Sequence, residues 1–367
     1  MERWTRSARQ VSSDFRPSVE SRTAARPTCR ICGVHVVAHA PVRTADLGGW
    51  TDTWFATSGK VCNVAVEPGV SVRLQLADET NERPNVTLLV GRERQEFELG
   101  LSGCPDGADR LVVAALQQVR PASDLVVSIS SGVPAGSGLG TSAAVAVALL
   151  AGLYALRGPV PDQSLLATLA HTVETSLGLQ SGIQDQFGSA FGGTHLFDIA
   201  YPGLVEAPIR VDHANVSVLG QSLITVYLGR PHRSSELHDQ VIASLEAGSN
   251  EARLGPLRQA AVDGFEALQA CDIDAYGRAM RSNHEAQKRL HPALVSAEAA
   301  RVIDVARSCG ARGWKVNGAG GEGGSLCLLA PTSPALRAQM LEAVSSVDDI
   351  EILDLRVASD GVTARRM

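Results

Sequence analysis

The sequence predicts an α+β protein built of two domains. The first observation is length, because 367 residues allow two hydrophobic cores at roughly 100–200 residues per domain. The second is that strand-like and helix-like segments occur in both halves of the chain. The third is a change of character past Asp198, from glycine-punctuated buried segments to amphipathic helices. This change predicts a domain boundary near residue 205.

The first half predicts a sheet covered by helices. Apolar, β-branched and alternating segments predict strands over residues 33–40, 60–76, 86–99 and 124–130. Apolar residues at helical spacing predict helices over residues 110–120, 141–156 and 163–177. The second of these helices has almost no polar face, so we expect it to be buried. Residues 178–193 are punctuated by glycine, which predicts a connector.

The second half predicts a smaller sheet with more helices. Strands are predicted over residues 216–228 and 325–329. Amphipathic spacing predicts two or three helices within residues 236–290 and single helices over residues 297–308 and 334–344. The glycine cluster at residues 318–324 predicts a loop before the last strand.

Composition narrows the classes of function. Residues 1–30 carry seven arginines against three acidic residues, although the whole chain has a formal net charge of −6. Residues 1–32 therefore form a basic extension that we expect to be flexible, followed by domains over residues 33–205 and 206–367. The acidic body argues against a nucleic-acid partner. The longest apolar stretch is about 14 residues, against roughly 20 for a bilayer span, so no membrane span is expected.

The cysteines point to a cytoplasmic protein. There are seven, an odd number scattered along the chain, which is not typical of a secreted disulfide framework. Cys29 and Cys32 form one CxxC pair, but no second pair of ligands lies near it, so a zinc site is not expected.

The most informative segment is the glycine-rich stretch before the buried helix. Three glycines at alternate positions let backbone N–H groups turn toward an anion, and the helix N-terminus adds positive charge. This pattern predicts a site for a di- or triphosphate, formed by Pro134, Gly136, Ser137, Gly138, Leu139, Gly140, Thr141 and Ser142. A P-loop is excluded because no lysine lies between Lys60 and Lys288. The spacing also misses the GxGxxG of a dinucleotide-binding fold.

Two further segments accompany this loop. Residues 40–52 read APVRTADLGGWTD, and residues 315–325 read KVNGAGGEGGS. In this order the three segments resemble the three motifs of the GHMP kinases, the superfamily of galactokinase, homoserine kinase, mevalonate kinase and phosphomevalonate kinase. The resemblance covers residues 34–357. It implies the two-domain GHMP kinase fold, with an N-terminal domain similar to ribosomal protein S5 domain 2, a ferredoxin-like C-terminal domain, and the site in the cleft between them.

The resemblance also implies ATP and Mg²⁺ as cofactors, with Gly320 and Gly321 at the nucleotide. Asp185 is similar to the catalytic carboxylate of the sugar-kinase branch, and Arg43 is expected beside it, where a cation can stabilise charge on the γ-phosphate. Ser142 and Glu174 resemble the Mg²⁺ ligands, and hard oxygen ligands suit that ion.

The implied substrate is a sugar phosphorylated at its anomeric hydroxyl. Asp52 is similar to the carboxylate that accepts hydrogen bonds from ring hydroxyls. Gly49, Trp50 and Thr51 lie in the same motif, and His195 is expected to face the sugar. The motif is similar to those of L-fucose kinases and D-glycero-D-manno-heptose 7-phosphate kinases. So is the loop at residues 229–235, whose Arg233 and Ser234 could bind a substrate phosphate.

Two questions stay open. Heptose 7-phosphate is favoured over fucose or another neutral sugar, because of the arginines in that loop. A non-catalytic sensor of sugar and ATP is the alternative of a different class, and Glu322 favours it: this residue interrupts the four glycines of the third motif, where a carboxylate would repel phosphates unless it points outward. The sequence contains no pattern that indicates an oligomeric state.

Overall fold

The structure, a computed structural model, describes residues 35–80, 82–100, 103–232, 236–248 and 250–367. The predicted extension over residues 1–32, including Cys29 and Cys32, lies outside the described residues. None of the helices in these described ranges is both long enough and apolar enough to cross a membrane.

The first half of the chain forms most of a large sheet. Its elements are β1 (His35–Leu47), β2 (Ser58–Thr80), β3 (Asn85–Val90), β4 (Glu93–Glu98), α1 (Arg110–Gln118), β5 (Ser123–Ser131), α2 (Thr141–Arg157), α3 (Gln163–Ser176), α4 (Gln184–Phe191), β6 (Thr194–Ala200), β7 (Gly203–Leu204) and β8 (Ile209–Arg210).

The second half adds helices and a smaller sheet. Its elements are α5 (His213–Ser222), β9 (Leu223–Tyr227), α6 (Glu236–Glu246), α7 (Glu251–Gln269), α8 (Ile273–Leu290), a 3₁₀ turn (Pro292–Leu294), α9 (Ala297–Ser308), β10 (Gly313–Val316), β11 (Ser325–Leu329), α10 (Pro334–Ser345), β12 (Glu351–Leu353), β13 (Arg356–Val357) and β14 (Thr363–Arg366).

The large sheet has the strand order β14-β1-β2-β5-β3-β4, with β6 and β13 also paired to β2. The register of β1 against β2 shifts between Ala40 and Val42 and again between Thr44 and Leu47. Such irregularities re-aim side chains. They lie on both sides of Arg43, and the second contains Asp46, so β1 can present both side chains at the site.

The smaller sheet has the order β10-β11-β9-β12, and its three pairs are antiparallel. Its core is formed with α9 and α10, through residues such as Val302 and Met340. Helix α7 packs on β1 and β2 of the large sheet, and α8 packs on α7 and on β10 of the smaller sheet; Phe265 of α7 and Tyr276 of α8 are buried in the larger hydrophobic core. The predicted α+β class with two units is thus confirmed.

The structure differs from the predicted elements in four places. The predicted strand over residues 86–99 is two antiparallel strands, β3 and β4. Strand β1 continues through Pro41, because the missing N–H of proline falls at a register shift. The predicted connector over residues 178–193 contains helix α4. The predicted strand over residues 216–228 is helix α5 followed by β9; α5 begins where the side chain of Asp212 accepts a hydrogen bond from Ala214 N at 2.8 Å.

The predicted boundary near residue 205 does not separate the strands of the two sheets. Strands β8, β13 and β14 all belong to the large sheet although they follow the predicted boundary. The chain therefore crosses into its second unit and returns to the first before it ends.

Candidate active site

The glycine-rich loop between β5 and α2 has the backbone of an anion site. Gly136, Gly138 and Gly140 have φ of 69°, 72° and 74°, so each adopts the left-handed conformation that glycine tolerates. Helix α2 begins after Gly140 with no side-chain cap. The hydroxyls of Ser137 and Thr141 are buried and have no hydrogen-bond partner among the described residues. Unpaired N–H and O–H donors at a helix start suit a phosphate.

Arg43 joins this loop to the predicted catalytic carboxylate. Its Nε donates to Asp185 Oδ1 at 2.7 Å and its Nη2 to Asp185 Oδ2 at 3.1 Å, while Nη1 donates to Gly138 O. The Arg43 side chain is 4% exposed and that of Asp185 is 25% exposed, so the carboxylate alone is open to a ligand. Burial by itself would lower the pKa of Arg43, but Asp185 and Asp46 raise it above its ordinary value.

Asp185 is placed by helix α4, where it lies in the first turn. A Cβ built on Gly140 would lie 3.2 Å from Asp185 Cγ, so only glycine lets the phosphate loop approach this carboxylate so closely. The predicted catalytic pair and the predicted phosphate loop therefore form one cluster.

Asp52 lies at the N-terminal end of α4. Its Oδ2 accepts a hydrogen bond from Gln184 N at 3.1 Å, and a Cβ on Gly182 would lie 2.0 Å from the same oxygen. Burial raises the pKa of Asp52 to about 6, and the charges of Asp185 and Asp46 act in the same direction. A carboxylate held this way can accept hydrogen bonds from the hydroxyls of a ligand.

Ser142 and Glu174 also meet as predicted. Ser142 Oγ donates to Glu174 Oε1 at 2.6 Å, and Ser181 Oγ and Gln186 Nε2 donate to Oε2 at 2.9 and 2.5 Å. Burial raises the pKa of Glu174. Across the described ranges, no three His, Cys, Asp or Glu side chains cluster to hold a metal. A buried carboxylate and a hydroxyl at the phosphate loop nevertheless fit Mg²⁺, which usually completes its shell with substrate phosphates and water.

The turn after β1 holds the remaining residues of the first motif. Trp50 has φ of 74°, and its ring packs 5.9 Å from that of His238. Its indole N–H is buried without a partner among the described residues. Thr51 donates to Gly48 O at 2.7 Å, so this hydroxyl stabilises the turn. Gly49 is needed for close approach, since a Cβ there would lie 3.1 Å from Asp46 Oδ2.

His195 does not have the surroundings that the sequence predicts. Its ring packs 5.7 Å from those of Phe191 and Phe197, and burial, together with the charge of Arg210, lowers its pKa to about 4. These neighbours make it a neutral histidine of the core rather than a residue facing the sugar. The reason is that β6 turns this side chain toward the aromatic residues that pack around α4.

The third glycine motif packs onto the site from the smaller sheet. Gly320 and Gly321 are buried, and Gly321 N donates to Leu294 O at 2.8 Å. The Glu322 side chain is 77% exposed and lies 3.9 Å from Arg230. This carboxylate therefore points outward, which removes the repulsion that its sequence position raised.

Arg233 and Ser234, the predicted phosphate ligands of the substrate, lie outside the described residues. Their neighbour Arg230 is described, and its Nη2 donates to Glu298 Oε1 at 2.7 Å. This ion pair holds the Arg230 guanidinium against Glu298 on the surface of α9.

Three functional candidates escaped the sequence reasoning. Asp46 and Lys315 form a fully buried ion pair, with 2.8 Å between Nζ and Oδ1. Gln184 is buried, and its Oε1 has no partner among the described residues. The available signals were an aspartate inside the first motif and one of only three lysines at the start of the third.

The comparisons with known proteins agree with this geometry. The family "GHMP kinases N terminal domain" matches residues 110–193, and "GHMP kinases C terminal" matches residues 265–348. The chain is 27% identical to the bifunctional fucokinase/GDP-fucose pyrophosphorylase of Arabidopsis thaliana, over 78% of this chain and 29% of that one. It is 30% identical to the mevalonate kinase of Thermococcus onnurineus, over 59% of this chain and 64% of the relative. The chain thus spans less than two thirds of either relative.

Solved structures show the same fold at lower identity. A D-glycero-D-manno-heptose 1-phosphate kinase from Bacteroides thetaiotaomicron has a TM-score of 0.70 and 20% identity, over 90% of this chain and 99% of that one. Galactokinase from Lactococcus lactis has a TM-score of 0.70 and 17% identity, over 90% of this chain and 95% of that one. These likenesses confirm the predicted two-domain fold.

Proposed function

We propose that this chain, which carries the N- and C-terminal domains of the GHMP kinases in order, transfers the γ-phosphoryl group of ATP to the anomeric hydroxyl of a sugar. The observation that carries this proposal is the Arg43–Asp185 ion pair at the phosphate loop, with Asp52 at the N-terminal end of α4, the helix that holds Asp185 in its first turn. An acceptor hydroxyl held by Asp52 would lie between a carboxylate and the bound phosphates.

The proposed reaction uses the partly exposed Asp185 carboxylate. It accepts the proton of the acceptor hydroxyl while that oxygen bonds to the γ-phosphorus and the bond to the leaving ADP oxygen breaks. Arg43 orients Asp185 through both carboxylate oxygens and presents positive charge beside Gly138 of the phosphate loop. Mg²⁺, held by Ser142 and Glu174, would neutralise phosphate charge.

For the acceptor, D-glycero-D-manno-heptose 7-phosphate is the first candidate, because Arg233 and Ser234 could bind its phosphate. L-fucose is the second. Two observations favour it: Arg230 is already paired with Glu298, and the Arabidopsis thaliana relative is described as a fucokinase. The outward position of Glu322 removes the feature that favoured a non-catalytic sensor.

A coupled assay of ADP release tests the proposal. We expect sugar-dependent turnover with heptose 7-phosphate or L-fucose, and none with mevalonate, which has no anomeric hydroxyl. Arg233→Ala should raise KM for the phosphorylated acceptor and leave KM for fucose unchanged, because only the former offers an anion to this loop. Absence of turnover with every sugar tried would support the sensor, and preference for mevalonate would show that the acceptor class is wrong.

Glu174→Gln tests the proposed metal ligands. An amide is a weaker ligand than a carboxylate, so we expect the Mg²⁺ concentration for half-maximal activity to rise by about 10-fold or more. Ser181→Ala is the matched control, because it removes the 2.9 Å hydrogen bond from Ser181 to the same carboxylate and keeps the carboxylate itself. Superimposable Mg²⁺ activation curves for Glu174→Gln and the unmodified protein would rule this assignment out.

A further inference from the structure

A buried ion pair connects the two sheets beside the site. Asp46 lies on β1 and Lys315 on β10, and their side chains are 0% and 1% exposed. Burial alone would raise the pKa of Asp46, but Lys315 and Arg43 lower it below its usual value. The fold therefore favours the carboxylate form of Asp46.

Asp46 accepts hydrogen bonds from a backbone amide as well as from Lys315. Gly318 N donates to Asp46 Oδ1 and Oδ2, both at 3.1 Å. The carboxylate therefore anchors Gly318, the first glycine of the third motif, which lies just after the end of β10. Two amides support the same anchor: Asn317 Oδ1 accepts from Ala45 N at 3.1 Å, and Gln287 Nε2 donates to Gly318 O at 3.1 Å.

Gly318 lies directly against the catalytic cluster. A Cβ built on it would lie 3.2 Å from Gly138 O in the phosphate loop and 3.4 Å from Arg43 Nη2. The position of Gly318 therefore sets how closely the third motif approaches both the phosphates and the arginine.

Stability alone is a weak reason for such a pair. Taking two charges out of water costs several kcal/mol per ion, and apolar side chains of similar volume often hold two elements together equally well. An apolar residue at position 46, however, could not accept the Gly318 N–H.

We infer that Asp46, held by Lys315, is a positioning residue that fixes the third glycine motif on the phosphate loop and Arg43. This inference rests on the proposed kinase function. It adds a role for a residue that touches neither the sugar nor the phosphates and acts through Gly318.

Asp46→Asn tests this role, because the amide has a single oxygen to accept from both Gly318 N and Lys315 Nζ, places an N–H donor where the second oxygen was, and loses the charge. We expect kcat to fall at least about 10-fold, since a misplacement of the order of 1 Å costs up to about 10²-fold. We also expect the affinity for a fluorescent ATP analogue to weaken. Asp198→Asn is the control, because it breaks the Lys60–Asp198 ion pair between β2 and β6, outside the site, and should change neither quantity.

A pH profile separates positioning from a merely structural role. Asp52 is faced by Arg43 and Asp46 from β1, by Asp185 from α4 and by Tyr201 after β6. Removing the charge of Asp46 should lower the pKa of Asp52 and move the acid limb of kcat/KM to lower pH. A loss of packing alone would leave that limb in place.

Asp46→Asn leaves Lys315 buried without its partner, so that variant could fail to fold. The double variant Asp46→Asn/Lys315→Met removes both charges and is expected to fold with the same loss of kcat and nucleotide affinity. A folded double variant with unchanged kcat and nucleotide affinity overturns the inference. Nucleotide affinity is measured without turnover, so it decides the point even where no sugar is phosphorylated and the proposed function itself fails.

Discussion

Asp185→Asn is expected to lower kcat at least about 100-fold with the preferred acceptor, the low end for loss of a general base. The amide cannot accept the proton of the acceptor hydroxyl. It can still accept one hydrogen bond from Arg43, whose Nε lies 2.7 Å from Oδ1. The protein should therefore fold, and the measurements are kcat from ADP release and Kd for an ATP analogue.

The control for this experiment is Glu298→Gln, which removes the charge from the 2.7 Å contact between Glu298 of α9 and Arg230 and leaves the catalytic cluster intact. We expect that variant to keep its turnover. Near-normal kcat in Asp185→Asn would show that the carboxylate is not the proton acceptor. A large loss of nucleotide affinity instead would mean that it acts on the phosphate loop.

Asp52→Asn is expected to stabilise the fold and impair sugar binding at once. The pKa of Asp52 is raised from 3.8 to about 6, so the folded state binds this proton more tightly than the unfolded chain does. The contribution of this group to stability therefore falls as the pH rises from 3.8 to 6 and stays low above that range. At pH 8 the neutral variant should gain up to about 3 kcal/mol in the free energy of unfolding, and the gain should vanish near pH 4.

The same substitution replaces one of the two carboxylate oxygens of Asp52 with an NH2 group, so one acceptor for sugar hydroxyls is lost. KM for the sugar should rise at least about 10-fold, on the order of one lost charged hydrogen bond. In the unmodified protein, KM should rise below pH 6 as Asp52 takes up its proton, and Asp52→Asn should lack this rise. The two measurements are urea unfolding at pH 4 and 8 and KM between pH 5 and 8. An unchanged KM would place the sugar elsewhere, and a lower stability at pH 8 would contradict the buried charge.

The phosphate loop is the part of the site that the sequence predicts best. Alternate glycines at 136, 138 and 140 determine their own backbone conformation, and the buried helix predicted over residues 141–156 is α2, Thr141–Arg157. Both are local properties of the chain. Helix α4, in contrast, does not depend on local properties of the chain. It has no side-chain cap and is stabilised by packing against β1 and β2. The pattern of residues 178–193 does not indicate this packing.

Side-chain partners were predicted only where a motif named both of them. Arg43 with Asp185 and Ser142 with Glu174 follow from the resemblance, and the structure brings each pair together. Asp46 and Lys315 are 269 residues apart, and only the packing of the smaller sheet against β1 makes them neighbours. The prediction for His195 differs from the structure for a related reason. The direction of its side chain depends on the register of β6 against β2, which the sequence does not indicate.

The pairing of β1 with β14 affects how the chain matures during synthesis. The strand that carries Arg43 and Asp46 lies between β2 and β14, and His35 O accepts a hydrogen bond from Met367 N at 2.8 Å. A ribosome must therefore release residues 363–367 before β1 has both of its neighbours. The large sheet therefore cannot be completed before the second half of the chain has been synthesised, and the strand that carries Arg43 and Asp46 gains its second neighbour only at that stage.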